Sequence, residues 1–147
     1  MNQYQQNQIM TATREQILIM LYDGAIRFCH QAIAASRAGN NDEKIGRIAK
    51  IFAIITEFSN SLDHNIGGDI AADLDGLYQF MLRELHKARK NPGEEHLIVV
   101  ERLLTDLRQT WSEAIEITKN EQNTITFEKQ DKTNEMQHQI NRLSAAG

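Results

Sequence analysis

Hydrophobic residues recur along this chain at the three- and four-residue spacing of amphipathic helices, in four stretches separated by short polar connections. The pattern predicts helices over residues 13–38, 41–62, 69–90 and 92–119. No stretch has the alternation of a strand, and no internal repeat is present. Because three short connections place consecutive helices side by side, the chain is predicted to be all-α, an antiparallel up-down four-helix bundle.

Capping residues mark where the first two helices begin. Thr13 is followed three residues later by Gln16, and Asn40 is followed by Glu43, which is the spacing of a capping box. Gly39 is predicted to end the first helix, because glycine readily adopts the left-handed conformation that closes many helices.

Glycine and proline mark the later connections. Residues 64–68, which end in two glycines, are predicted to join the second and third helices, so that the third opens at Asp69. Pro92 is predicted at the first position of the fourth helix, where its missing N–H leaves no hydrogen bond unmade.

Both ends of the chain are polar and are predicted to lie outside the bundle. Residues 1–12 form a flexible, Gln-rich N-terminal segment, residues 13–119 the bundle, and residues 120–147 a polar tail that is partly helical. The apolar residues of the N-terminal segment are Tyr4, Ile9 and Met10, and those of the tail's marginal helical pattern are Met136, Ile140 and Leu143.

The first two helices have wider apolar faces than a bundle needs. On a helical wheel the face covers about 200° of the first helix and about 180° of the second, against about 140° and about 160° on the third and fourth. Long apolar strips left over in this way usually bind another protein. The N-terminal segment or the tail could equally cover them, or the chain could dimerise through them, and the wheels alone do not decide.

Charge and composition narrow the class of partner and the compartment. A net charge of −4 disfavours binding to nucleic acid, whose specific partners usually carry a basic face. The single cysteine, Cys29, cannot form an internal disulfide, which fits a reducing compartment. The N-terminus lacks the features of a secretory signal, and the longest apolar run, Ile17–Tyr22, is too short to span a bilayer. We therefore expect a cytoplasmic protein without stable membrane insertion.

Residue patterns for catalysis or metal binding are largely missing. A di-iron bundle needs two Glu-x-x-His pairs on inward faces, and this chain has one, Glu135 and His138, in the polar tail. No phosphate-binding loop or nucleophile elbow is present, and Cys29 fits a small buried hydrophobe. We expect no enzymatic activity, no cofactor and no metal site.

Three segments, in this order, carry a specific combination of sequence motifs. The first is residues 4–28, which include Leu21-Tyr22-Asp23-Gly24-Ala25-Ile26. The second is residues 62–85, with Gly67-Gly68-Asp69-Ile70-Ala71, and the third is residues 103–111, with Leu103-Leu104 and Trp111. Together they resemble the flagellar secretion chaperones of the FliS type over roughly residues 4–118. Arg14 stands where that family often has proline, and the tail has no counterpart.

The resemblance implies a helical bundle without catalytic activity that binds the C-terminal helical region of flagellin and prevents its premature polymerisation. It implies delivery of that cargo to the cytoplasmic domain of the flagellar type III export gate. It also implies that the N-terminal segment, with Tyr4, Ile9 and Met10, caps the groove or docks on the gate. A flagellar regulator as partner, a self-associating bundle and a metal protein stay open as alternatives.

The expected flagellin-binding groove is assigned to the apolar surface that the bundle leaves uncovered. Edge positions of the first three helices are predicted to line it: Tyr22, Ile26, Ile33, Ile51, Ile54, Phe58, Tyr78 and Leu82.

Overall fold

The computed structural model describes residues 12–146, with side chains up to residue 144. Within this range the chain forms four helices: α1 (Arg14–Arg37), α2 (Asn41–Asn60), α3 (His64–Lys90) and α4 (Glu95–Ala146). The described chain divides into two compact units between residues 109 and 110, and the division falls inside α4. The all-α prediction is confirmed. Tyr4, Ile9 and Met10 lie outside the described residues.

Polar contacts at one corner of the first unit fix the directions of the helices. Arg37, at the end of α1, donates two hydrogen bonds to the Glu94 carboxylate just before α4, at 2.7 and 2.8 Å. Lys44, in the first turn of α2, is buried and donates from Nζ to the carbonyls of Asn91 and Gly93 after α3, each at 3.0 Å. The ends of α1 and α3 therefore meet the starts of α2 and α4, which confirms the antiparallel up-down arrangement.

The predicted caps hold, with one difference. The hydroxyl of Thr13 accepts from the Gln16 N–H at 3.2 Å, and the Gln16 amide oxygen accepts from the Thr13 N–H at 2.9 Å, so the first capping box is confirmed. The Asn40 side chain caps α2 by accepting from the Glu43 N–H at 3.2 Å. The reciprocal half is missing because the Asn40 N–H already bonds to the Ala35 carbonyl, at 2.9 Å, in the motif that ends α1.

The start of α3 lies one turn earlier than predicted. The Asp63 carboxylate accepts from the N–H groups of Asn65 and Ile66, at 3.0 and 3.2 Å, and so caps a helical turn that residues 64–68 were expected to lack. Gly68 then interrupts the helix with φ 51° and ψ −123°. The predicted connection is therefore wrong, because a capped turn precedes the glycine break.

The prediction of Pro92 inside α4 is also wrong. Asn91 closes α3 by donating its N–H to the Lys87 carbonyl at 3.0 Å, and its ψ of 137° is the extended conformation favoured before proline. Gly93, at φ 99°, cannot continue a helix. Helix α4 accordingly begins at Glu95.

The fourth helix continues beyond its predicted end near Lys119, to Ala146. Every described side chain from Glu116 to Ser144 is exposed. The predicted end near Lys119 is therefore wrong, because this stretch is helical without a buried apolar face.

The core of the first unit is aromatic at its centre. The rings of Tyr22 (α1) and Phe58 (α2) stack with centroids 4.4 Å apart, and Phe58 meets the ring of Tyr78 (α3) at 5.7 Å. The two tyrosine hydroxyls are 2.8 Å apart and hydrogen-bonded. This group holds three helices together, and its polar ends are satisfied inside the core.

Helix α1 is long and apolar enough to cross a membrane. The core helix of a soluble protein can have the same length and apolar content. The inner face of α1 is wholly buried in the bundle at Tyr22, Cys29 and Ala32. Burial, with the nearby charge of Glu101, raises the pKa of the Cys29 thiol to about 12. Cys29 is thus a buried, unreactive side chain, as predicted.

A carboxylate–imidazole pair joins α3 to α4. Glu84 is buried, and its Oε2 lies 2.5 Å from Nδ1 of His96, with the Lys87 ammonium 3.4 Å from Oε1. The geometry suits an Nδ1–H tautomer of His96 whose Nε2 accepts from the Asn91 amide at 3.3 Å. The hydrogen bond from His96, and then Lys87, lower the pKa of Glu84 below its ordinary 4.5.

Replacing this carboxylate should change the acid dependence of stability. Because the folded pKa of Glu84 is depressed, its stabilisation is present above the unfolded pKa near 4.5 and is lost as pH falls through the folded pKa. Glu84→Gln should therefore be less stable than the wild type at pH 7, and the gap should narrow below pH about 4.5. Urea unfolding followed by circular dichroism at pH 7, 5 and 3.5 tests this; an equal gap at all three values would contradict it.

Candidate protein-binding surface

The structure divides the eight predicted groove residues into two groups. Three are half-buried and offer surface on the outside of the bundle: Ile26, Ile54 and Leu82. Five are core residues with little or no exposed surface: Tyr22, Ile33, Ile51, Phe58 and Tyr78. The described conformation therefore presents a partner with the edges of the predicted strips, and a groove-lining role for all eight stays a prediction.

The outer seam between α1 and α2 is apolar with a basic rim. Leu21 and Phe28 on α1 and Ile54 on α2 are exposed or half-buried. The charged ends of Arg27 and Lys50 each lie 5.4 Å from the centre of the Phe28 ring, and that of Arg47 lies 6.0 Å from it. We call this surface the α1/α2 groove; the residues that define it are Leu21, Arg27, Phe28, Arg47, Lys50 and Ile54.

A second concave surface lies between α2 and α3. It encloses about 220 Å³. Its lining residues are Ile48, Ala49, Phe52, His86 and Arg89. Phe52 is 41% exposed, so this cleft offers a large aromatic face to a partner.

The first half of α3 carries the two most exposed large apolar residues of the described first unit, Ile66 and Ile70, together with the partly exposed Leu77. Ile66, Ile70 and Leu77 are 87%, 72% and 37% exposed. On a helical wheel, Ile70 and Leu77 lie in the apolar arc of the third helix that is expected to face the core, and Ile66 falls in the predicted connection. Met81 shares that arc and is completely buried. An arc gives the direction in which a side chain points and not whether a neighbouring helix covers it at that height, so the sequence held no signal that separates Ile70 from Met81.

Chemistry that would suggest catalysis is not assembled in the part of the chain that the structure describes. No three histidine, cysteine or acidic side chains there come close enough to hold a metal ion. The Glu135–His138 pair lies on an exposed stretch of α4. What the described surface offers is apolar area on the outside of a bundle, which is the property of a helical protein-binding module.

Comparison with known proteins places this binding module in a family. The family model for the flagellar protein FliS matches residues 1–118. The flagellar secretion chaperone FliS of Bacillus subtilis strain 168 is 33% identical over 113 residues, which cover 77% of this chain and 84% of that protein. The FliS chaperone of Campylobacter jejuni is 31% identical over 76% of this chain and 88% of its own length, and that of Salmonella typhimurium is 30% identical over 71% and 78%.

The chain belongs to the FliS family of flagellar secretion chaperones. Proteins of this family are not enzymes and are generally cytoplasmic. The sequence-based assignment is confirmed at this level. The match ends at residue 118, so the final part of α4 lies outside the family pattern.

Proposed function

We propose that this protein binds the C-terminal helical segment of flagellin in the cytoplasm, prevents its premature polymerisation and delivers it to the flagellar type III export gate. The observation that carries the proposal is the family match over residues 1–118. The relatives are named as secretion chaperones, and a secretion chaperone must cover surfaces that its cargo buries only after export.

The exposed apolar surfaces of the first unit support a binding mode of this kind. The α1/α2 groove, the cleft beside Phe52 and the strip from Ile66 to Leu77 lie on different parts of the bundle. An amphipathic cargo helix buries its apolar face in such a groove, and several grooves suit a cargo that wraps around the bundle. Ordering a flexible cargo opposes binding, so a large contact area can still release its cargo at the gate.

Delivery of the cargo to the export gate is assigned to the N-terminal segment. The N-terminal segment, through Tyr4, Ile9 and Met10, is proposed to cap a groove or to dock on the gate. These residues lie outside the described range, so the proposal for them rests on the family resemblance. A flagellar regulator remains an alternative partner for the same surfaces.

The binding test is titration calorimetry of the full chain with the C-terminal segment of flagellin from the same organism. We expect one-to-one binding with a strongly negative heat-capacity change, because apolar helix faces are buried. An absence of binding by a folded protein whose first 12 residues have been removed would overturn the proposal. Sizing at several concentrations separates it from a self-associating bundle, which would grow without cargo.

A single substitution in the α1/α2 groove should weaken that binding strongly. Ile54 is half-buried, so Ile54→Asp puts a charge where a cargo side chain would pack and leaves the core intact. We expect at least about a tenfold loss of affinity with an unchanged helical spectrum. Ala53→Asp, at an exposed position next to it, is the matched control and should bind normally. Unfolding of the Ile54 variant alone would instead assign Ile54 to the core.

A further inference from the structure

The α1/α2 groove contains an unusual concentration of positive charge. Arg27, Arg47 and Lys50 all direct their charged ends to one aromatic ring, Phe28, at 5.4 to 6.0 Å from its centre. Each contact of a cation with an aromatic face contributes only about 0.5–1 kcal/mol at an exposed site. Three like charges around one ring also repel one another, so the ring alone does not balance the group.

Carboxylates of the chain neutralise little of this charge. Of the three cations, Arg47 forms an ion pair with a described carboxylate. Its Nη2 lies 3.8 Å from Oε1 of Glu43. The two side chains in that pair are 33% and 46% exposed, so the pair contributes little. The chain as a whole carries a net charge of −4, which makes this local excess of positive charge a feature of the groove and not of the composition.

Apolar residues continue the groove beyond the charged group. Because α1 and α2 are antiparallel and Lys50 lies at the level of Phe28, Ile54 lies one turn further along α2, at the level of Gly24. Leu21, which is 36% exposed, follows on α1. A helix lying in this groove would therefore meet apolar side chains along one part and cations at one end.

We propose that the α1/α2 groove binds an amphipathic helix whose apolar face is bordered by carboxylates, and that the cations around Phe28 fix its position along the groove. The inference rests on the proposed function, because the helix is taken to be part of the flagellin cargo. Its apolar side chains pack towards Leu21 and Ile54, and its carboxylates approach Arg47 and Lys50. The acidic residues of the cargo helix thus set its register along the groove, while the apolar contacts supply most of the affinity.

The test compares two charge reversals in the full chain. Arg47→Glu/Lys50→Glu reverses the groove, and Arg83→Glu/Lys90→Glu makes the same change of net charge at exposed positions on α3. Binding of a labelled C-terminal flagellin segment is measured over a range of salt concentrations. We expect the groove variant to lose about tenfold or more in affinity and most of the salt dependence, and the α3 variant to stay within about twofold of the wild type.

Rescue from the partner side completes the test. Replacing the acidic residues of the flagellin segment with lysine, one at a time, should restore binding to the groove variant at one or two positions. Equal losses in both double variants, or wild-type affinity in the groove variant, would overturn the inference and leave the proposed function standing. Failure to bind by both the wild-type chain and the folded chain without its first 12 residues would overturn both. Lys50→Glu alone, at an exposed position, replaces the double variant if the latter does not fold.

Discussion

Phe58→Ala should lower the free energy of unfolding by about 3–5 kcal/mol, the usual cost of removing a buried aromatic side chain. Phe58 is 5% exposed and lies between the rings of Tyr22 and Tyr78. Its loss leaves a cavity bordered by two tyrosines, and it removes a contact that joins three helices. The hydroxyls of the two tyrosines bond to each other at 2.8 Å, which restrains both rings from moving into the space.

The measurement is urea unfolding of the variant followed by circular dichroism. Phe127→Ala is the matched control, because the same side chain there is 68% exposed, and it should change stability by less than about 0.5 kcal/mol. Similar costs for the two variants would mean that the aromatic group is not the centre of the core.

Gly68→Ala should be destabilising by about 1–3 kcal/mol, because φ 51° with ψ −123° is a conformation that side-chain-bearing residues avoid. The cost is conformational, since a Cβ at Gly68 would meet no atom within 4 Å. The substitution would favour an uninterrupted helix and so oppose the break after the turn capped by Asp63.

Gly76→Ala, on the same helix, should have the opposite sign. Gly76 lies inside α3 with open space around its Cβ position, so alanine should stabilise the helix by about 0.5–1 kcal/mol. Thermal unfolding of the two variants side by side measures the contrast. A stabilising Gly68→Ala would show that the break at that position is not required by the fold.

The helices that begin with a local signal were predictable from the sequence. Thr13 and Asn40 cap their helices through hydrogen bonds within three residues, and Gly39 ends α1 by a backbone conformation that glycine favours. Asp63 is the same kind of signal and was missed, because the two glycines after it suggested a loop. Pro92 was misplaced because Asn91 and Gly93 act together as a turn, and residue-by-residue preferences do not show that.

The exposed apolar area on the outside of α1 and α2 was predictable in its location and not in its exact residues, and its role in binding stays a prediction. The wide apolar arcs of α1 and α2 correctly indicated surplus apolar area at their edges, and Ile54 is part of it. They could not show that Tyr22, Phe58 and Tyr78 bury one another, because that depends on side-chain packing between three helices. The full length of α4 was not predictable from apolar periodicity, since its final part is exposed and only Met136, Ile140 and Leu143 follow a helical spacing there.

The short connection between α1 and α2 has a consequence for how the chain folds during synthesis. Residues 38–40 satisfy their hydrogen bonds locally, so closing this helix pair orders little chain and costs little entropy. Pairing of α1 with α2 needs no later residue, whereas the corner at Lys44 waits for Asn91 and Gly93, 47 and 49 positions further along. We therefore expect the nascent chain to bring the face with Phe28, Arg47 and Lys50 together before the ribosome has finished α4.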